Sequence, residues 1–211
     1  RFYGTVVNLA IANDWMHKNP FAGIRFQEKE VIREVLTKEE IERMMCKEFA
    51  LPRLEYVRDV FIFCVFTGMA YVDVNNLRQE HIVRDNNDDL WIRKARQKTN
   101  NMCNIPLLKI PQLLMEKYKN HPLCTKTGAL LPVPSNQKMN SYLKEIADFC
   151  GIQKNLTTHT ARHTFATVVA LANGVSMENI AKMLGHSDIR MTQCYAKVMD
   201  SSIMRDMENV D

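Results

Sequence analysis

The chain has 211 residues, 46% of them hydrophobic and 25% charged, which excludes a disordered tail, a fibrous repeat and a small stapled scaffold. Its longest apolar run, Val60 to Phe66, is far short of the roughly 20 residues that span a bilayer, so no transmembrane helix and no membrane partner is expected. Twenty-eight basic against 24 acidic residues leave a formal charge of +4, which by itself selects no partner.

The chain opens at Arg1 without a signal peptide and is expected to be a fragment of a longer protein. Phe2 to Trp15 is apolar at helical spacing and stops at Asn19-Pro20, a strong breaker. A lone helix cannot bury its own apolar face, so residues 1–23 are expected to be the end of a preceding domain. Residues 24–35 are charged and read as a linker. A new unit, residues 36–211, then opens with Thr37 and Glu40 spaced for a capping box, in which each side chain satisfies a free amide of the first turn.

Leu54 to Phe66 has the length and apolar content of a buried helix. Thr67-Gly68 breaks it and Tyr71 to Leu77 resumes it. Two extended runs, Leu90–Arg96 and Met102–Leu107, flank an Asn-rich turn and predict a β-hairpin. Helices are expected over 111–119, 135–149, 159–173, 177–184 and 189–198. Ser135 and Asp188 are placed as N-caps and Gly174 as the residue after a helix end. A tail begins at about 199, with Ile203, Met204 and Met207 at helical spacing. The fold class is mostly α with a small antiparallel β-sheet (α+β). Six scattered cysteines without a CxxC pair read as reduced core thiols of a cytoplasmic protein, with zinc not expected.

Between Leu90 and Lys126 lie eight basic residues (Arg93, Lys94, Arg96, Lys98, Lys109, Lys117, Lys119, Lys126) and one acid, Glu116. Such a block suits a phosphate-rich partner or a solvated face. His159, His163 and His186 fall within 28 residues, beside Arg162 and followed by Tyr195. His at i and i+4 suggests a zinc helix, but that motif needs Glu next to the first His, and Thr160 stands there. A phosphate fits better, because guanidinium is a planar fork for two phosphate oxygens and imidazole donates to them or moves a proton. A tyrosine hydroxyl, with its ordinary pKa of about 10, needs cationic neighbours before it attacks phosphorus.

These residues carry a resemblance. His159-Thr160-Ala161-Arg162-His163, Leu184-Gly185-His186 and Thr192-Gln193-Cys194-Tyr195 resemble the HxxR, LGH and nucleophile motifs of the tyrosine recombinases, the phage-integrase family. Lys98 matches the family's hairpin lysine, Thr67-Gly68-Met69 its TG turn, and Asp73 its acidic position. The stretch after the TG turn resembles integrases of Bacteroides-type mobile elements. The resemblance implies a tyrosine recombinase catalytic domain over residues 36–211, preceded by the end of a core-binding, SAM-like domain.

It also implies chemistry. Tyr195 would form a 3′-phosphotyrosine with DNA and release a 5′-hydroxyl, with no cofactor and no metal. Arg162 would clamp the non-bridging oxygens, His186 would bond them, His159 would assist proton transfer and Lys98 would protonate the leaving oxygen. Asp73 would support an arginine, and Lys94, Arg96, Lys98 and Arg162 would contact DNA. The implied partners are double-stranded attachment sites, further copies of the chain (a tetramer on DNA) and accessory DNA-bending or excision factors, in the bacterial nucleoid.

One departure stands out. The family's first arginine position, directly after the TG turn, is Ala70. Arg58 is the expected substitute, with an Arg58 bridge to Asp59 or Asp73 as the structural alternative. Two other functions stay open: a relaxing enzyme of the type IB topoisomerase kind, and a catalytically impaired DNA-binding or regulatory relative.

Overall fold

Apolar residues occupy every face of one helix, and that helix lies at the centre of the larger unit. In a computed structural model, which describes residues 2–24 and 34–195, the chain divides into two compact units, residues 1–32 and 33–211. The first contains helix α1 (Phe2–Ala12), which ends in a turn where Asp14 takes a left-handed conformation.

The second unit begins with α2 (Lys38–Cys46), capped as expected: Glu40 N–H donates to Thr37 and the Glu40 carboxylate accepts from the Thr37 backbone. The central helix, α3 (Pro52–Thr67), buries Leu54, Val57, Val60, Phe61, Ile62, Phe63, Cys64 and Val65. Such a helix is stable only when neighbours cover all its faces. Here α2, α5 (Lys109–Tyr118), α7 (Asn136–Phe149) and α8 (Thr158–Thr164) do so. Gly68 closes α3 in the left-handed region, at φ 67°, and Ala70 starts the short α4 (Tyr71–Asn75).

The sheet has three antiparallel strands, β1 (Ile82–Arg84), β2 (Leu90–Ala95) and β3 (Met102–Pro106), in that order. The β2–β3 hairpin pairs Ile92 with Ile105 and Ala95 with Met102. The fold is thus mostly helical with a small antiparallel sheet, as expected from the sequence. Strand β1 was not expected, because three residues are too few to show an alternating pattern. A short helix, α6 (Pro122–Thr127), also went unforeseen; His121 caps it and Gly128 ends it.

The helix expected over 159–173 changes character midway. After α8 the chain forms a π-helical turn, Phe165–Ala170, and a 3-10 turn, Leu171–Asn173. The hydroxyls of Thr164 and Thr167 donate to the carbonyls of Thr160 and His163, both at 2.8 Å, competing for acceptors of the helical ladder. Gly174 ends the segment at φ 81°, as its position implied. Helix α9 (Met177–Leu184) follows.

The helix expected over 189–198 is confined, among the described residues, to α10 (Arg190–Gln193). Asp188 does not occupy its N-cap position, since Ile189 does; the Asp188 carboxylate accepts from Arg190 N–H, two residues on. The tail from 199, and 196–198 of that helix, lie outside the described residues. Among the described residues no helix is long and apolar enough to cross a membrane.

Candidate active site

Arg162 is the centre of the site, and it is buried. Helix α8 holds it because its first turn is fixed by Thr157, whose hydroxyl accepts from Thr160 N–H at 3.2 Å. Its guanidinium donates to Gly68 O at 2.6 Å and Leu184 O at 2.5 Å. These carbonyls end α3 and α9, where helix carbonyls have lost their partners and the dipole's negative end accumulates. A third contact runs from Nη2 to His186 Nε2 at 3.3 Å. Burial lowers the Arg162 pKa to about 10; Arg96 pushes the same way, while Tyr195, Cys103 and Asp73 oppose.

His186 follows Gly185, whose φ of +60° closes α9. The glycine is required twice over. A Cβ there would lie 2.7 Å from both Arg96 Cδ and Cys103 Sγ, in a conformation that costs L-residues energy as well. The imidazole is half-buried, with Nδ1 2.8 Å from the hydroxyl of buried Thr192. Burial, then Arg162, then Arg96 hold its pKa down to about 4, so the ring is neutral near pH 7.

Tyr195 is buried and follows α10. Its ring is stacked with His186 at 6.5 Å and tilted against His163 at 5.4 Å, and His163 in turn stacks on His159 at 5.8 Å. Three of the expected residues, Arg162, His186 and Tyr195, are therefore mutual neighbours, and exposed His159 joins them through His163.

The β2–β3 turn supplies the remaining groups. Lys98 is exposed in that turn, whose base is closed by Arg96 N–H to Asn101 O at 2.9 Å and Asn100 N–H to Arg96 O at 2.8 Å. Buried Asp73 accepts from Gln97 N–H at 2.9 Å and lies 3.9 Å from Arg96 Nε. Lys94 points elsewhere: its Nζ is 3.1 Å from His81 Nε2.

Arg58 is not brought to this cluster, which corrects the expectation that it replaces the arginine missing at Ala70. It pairs with Asp59, and one nitrogen donates to Met44 O, Met45 O and Lys47 O at 3.1, 2.9 and 2.9 Å. A buried guanidinium needs acceptors, and the carbonyl end of α2 provides them. Arg96, expected only as a DNA contact, is the arginine that the fold places beside Arg162 and His186. Its side chain is only 11% exposed, its Nε is buried without a hydrogen bond, and its donation from Nη1 to Gly185 O is long at 3.5 Å. Its place depends on Gly185, 89 residues on in the chain, so no local pattern marked it.

Among the described residues no group of three or more His, Cys, Asp or Glu is placed to hold a metal ion.

Comparison with known proteins identifies the family and the fold. The sequence model of the phage integrase family matches residues 34–202. Tyrosine recombinase XerD of Staphylococcus saprophyticus is 40% identical over 95 residues, which are 45% of this chain and 31% of that protein; the chain thus spans about a third of the length of the curated relatives it matches. The lambda integrase dimer bound to a core site superposes with a TM-score of 0.68 at 19% identity, covering 89% of this chain and 68% of that one. The Tn1549 transposon integrase in complex with a circular intermediate DNA gives 0.68 at 19% identity, with 96% and 74% covered. At such identities the likeness establishes the fold.

Proposed function

Because the chain belongs to the phage integrase family, we propose that it is the catalytic part of a site-specific DNA recombinase that cuts and rejoins DNA through a tyrosine-linked intermediate. The observation that carries this reading is the convergence of Arg162, His186 and Tyr195, with Arg96 as a second buried guanidinium beside them. The Tyr195 oxygen attacks a phosphodiester phosphorus and the bond to the 5′-oxygen breaks, leaving a 3′-phosphotyrosine. His159 takes part in moving the tyrosine proton, and Lys98 gives a proton to the leaving 5′-oxygen. Charge building on the non-bridging oxygens meets Arg162 and Arg96, donors fixed before the reaction begins, and the His186 ring beside them.

Arg96 then does at this site what an arginine at position 70 does elsewhere in the family. Asp73 holds Arg96 and the turn that carries Lys98, and is a positioning residue. The substrate is double-stranded DNA carrying attachment sites, the acting form is a tetramer of chains on that DNA, and the reaction integrates and excises a mobile element. Phosphate contacts supply most of the affinity, which falls steeply with salt.

A second reading, a DNA-binding relative without catalysis, is favoured by Ala70 alone. One experiment separates the two. The protein is incubated with nicked duplexes from which the cleaved strand end diffuses away, and then denatured. A protein–DNA adduct that disappears in Tyr195→Phe is expected. Salt-sensitive binding with no adduct from any duplex would leave only the second reading.

A further inference from the structure

The hydroxyl of Thr192 meets His186 at Nδ1, the ring nitrogen that does not face Arg162, and the donors around that ring fix its proton. Guanidinium nitrogen has no acceptor capacity. The His186 Nε2 that lies 3.3 Å from Arg162 Nη2 is therefore the lone-pair nitrogen in the free protein. The proton of the neutral ring is on Nδ1, which donates to Thr192 Oγ1 at 2.8 Å.

That arrangement is wrong for a bound phosphodiester, whose non-bridging oxygens only accept. Nε2 must carry a proton before it can bond them. The ring could gain a second proton, but the charges facing it argue against that. Arg162 lies on one side and Arg96 at the LGH turn; Asp73 pairs with Arg96, and the Tyr195 ring stacks on the imidazole. One diester charge against two guanidinium groups still leaves a net positive site, which disfavours a third cation.

We infer that Thr192 is a positioning residue that lets His186 exchange tautomers when a phosphodiester enters: its hydroxyl accepts from Nδ1–H in the free protein and, after rotating about its C–O bond, donates to bare Nδ1 in the complex. Nδ1 loses one proton to solvent and Nε2 gains one from it, so no net proton is taken up. A hydroxyl is the smallest side-chain group that can serve in both directions. Thr192 is fully buried. The inference rests on the reading of the site as a phosphodiester site.

The test uses the chain with 15N-labelled histidines and dimethyl phosphate as probe, at pH 7. Long-range nitrogen–proton spectra report which nitrogen of His186 is protonated. The expected result is Nδ1–H without the diester and Nε2–H with it, with no proton uptake when the titration heat is compared in two buffers of different ionisation enthalpy. Thr192→Val should need at least tenfold more diester for the change, and Thr192→Ser should stay within threefold of the parent protein. Retention of Nδ1–H in the complex, or uptake of one proton, overturns the tautomer exchange. A Val variant that behaves like the parent protein overturns the part assigned to Thr192. If the diester leaves His186 untouched, the phosphodiester reading of the site itself falls, and that outcome is distinct from the others. If Thr192→Val does not fold, the parent spectra still decide the tautomer exchange, and Thr192→Ala, which also lacks the hydroxyl, decides the part assigned to Thr192.

Discussion

The backbone N–H of Gln97 donates to Asp73 Oδ1 at 2.9 Å, so an acid at the start of one short helix fixes the residue immediately before Lys98. A second tie, Asn76 Nδ2 to Gln97 Oε1 at 2.8 Å, reinforces it. Lys98 itself is exposed to solvent while its base is held.

The first prediction follows from that arrangement. Lys98→Ala should slow cleavage by about 10²- to 10⁴-fold, the usual contribution of a positioned acid. Replacing the 5′-bridging oxygen of the DNA by sulfur should restore the rate, because a thiolate leaves without a proton. Asp73→Ala should slow cleavage at least tenfold with little change in duplex affinity, and sulfur should restore only part of it, since Arg96 also loses its counter-charge.

Arg58 and Arg96 should separate cleanly. Arg58→Ala leaves Asp59 buried without its guanidinium partner, and removing one member of a buried pair costs about 3–5 kcal/mol. The loss should be toward the lower end, because Lys117 and Tyr118 also bond Asp59, each at 2.7 Å. Denaturant unfolding should register it, while the cleavage rate of the folded fraction stays within a few-fold. Arg96→Ala should do the reverse: near-normal unfolding, and cleavage reduced by about 10²-fold or more, as when one charge-stabilising donor is lost. Sulfur substitution should not rescue it.

Gly185→Ala combines a left-handed backbone with a 2.7 Å approach to two side chains. The conformation alone costs about 1–3 kcal/mol, and relieving the contact displaces Arg96 from its place beside Arg162. Adduct formation should be abolished at temperatures where circular dichroism still reports a folded chain. An active Ala variant would mean that this turn tolerates a side chain after all.

The depressed His186 pKa has a sign that stability measurements can read. The unfolded ring binds a proton below its ordinary value near 6.5, whereas the folded ring, at about 4, does not. Stability from this group is therefore constant above about pH 6.5 and lost as pH falls toward 4. In denaturant melts at pH 7.5, 6, 5 and 4, the parent protein should lose stability over that window relative to His186→Gln. Parallel curves for the two would contradict it.

Much of this was legible in the sequence because it is local. The Thr37–Glu40 box, the hairpin around Lys98, Ser135 as a cap and Gly174 as a stop all depend on residues within a turn or two of one another. Arg162, His186 and Tyr195 were readable because their motifs are specific. Arg58 misled because a charge in an apolar helix says only that a partner exists; the carbonyls that end α2 are 11 to 14 residues away in sequence and leave no mark in its neighbourhood. Arg96 needed Gly185, 89 residues on, to become a site residue. The π-helical turn after α8 was hidden because Thr164 and Thr167 fit an ordinary helix by propensity, and only their hydrogen bonds show the ladder widening.

The ties that assemble the site reach far along the chain: Arg162 to Gly68 across 94 residues, Arg96 and Asn101 to Gly185 across 89 and 84. Contacts of such separation form late in folding, after local helices and hairpins. A chain that has made α3, α7 and the hairpin but has not yet seated α8 and α9 owns every reactive side chain and no pocket. If the proposed function holds, nascent or damaged molecules of this kind should bind DNA by charge alone without cutting it. On the recombinase reading, strand breaking would therefore emerge together with the finished fold, and partial denaturation should switch off cleavage before it abolishes binding.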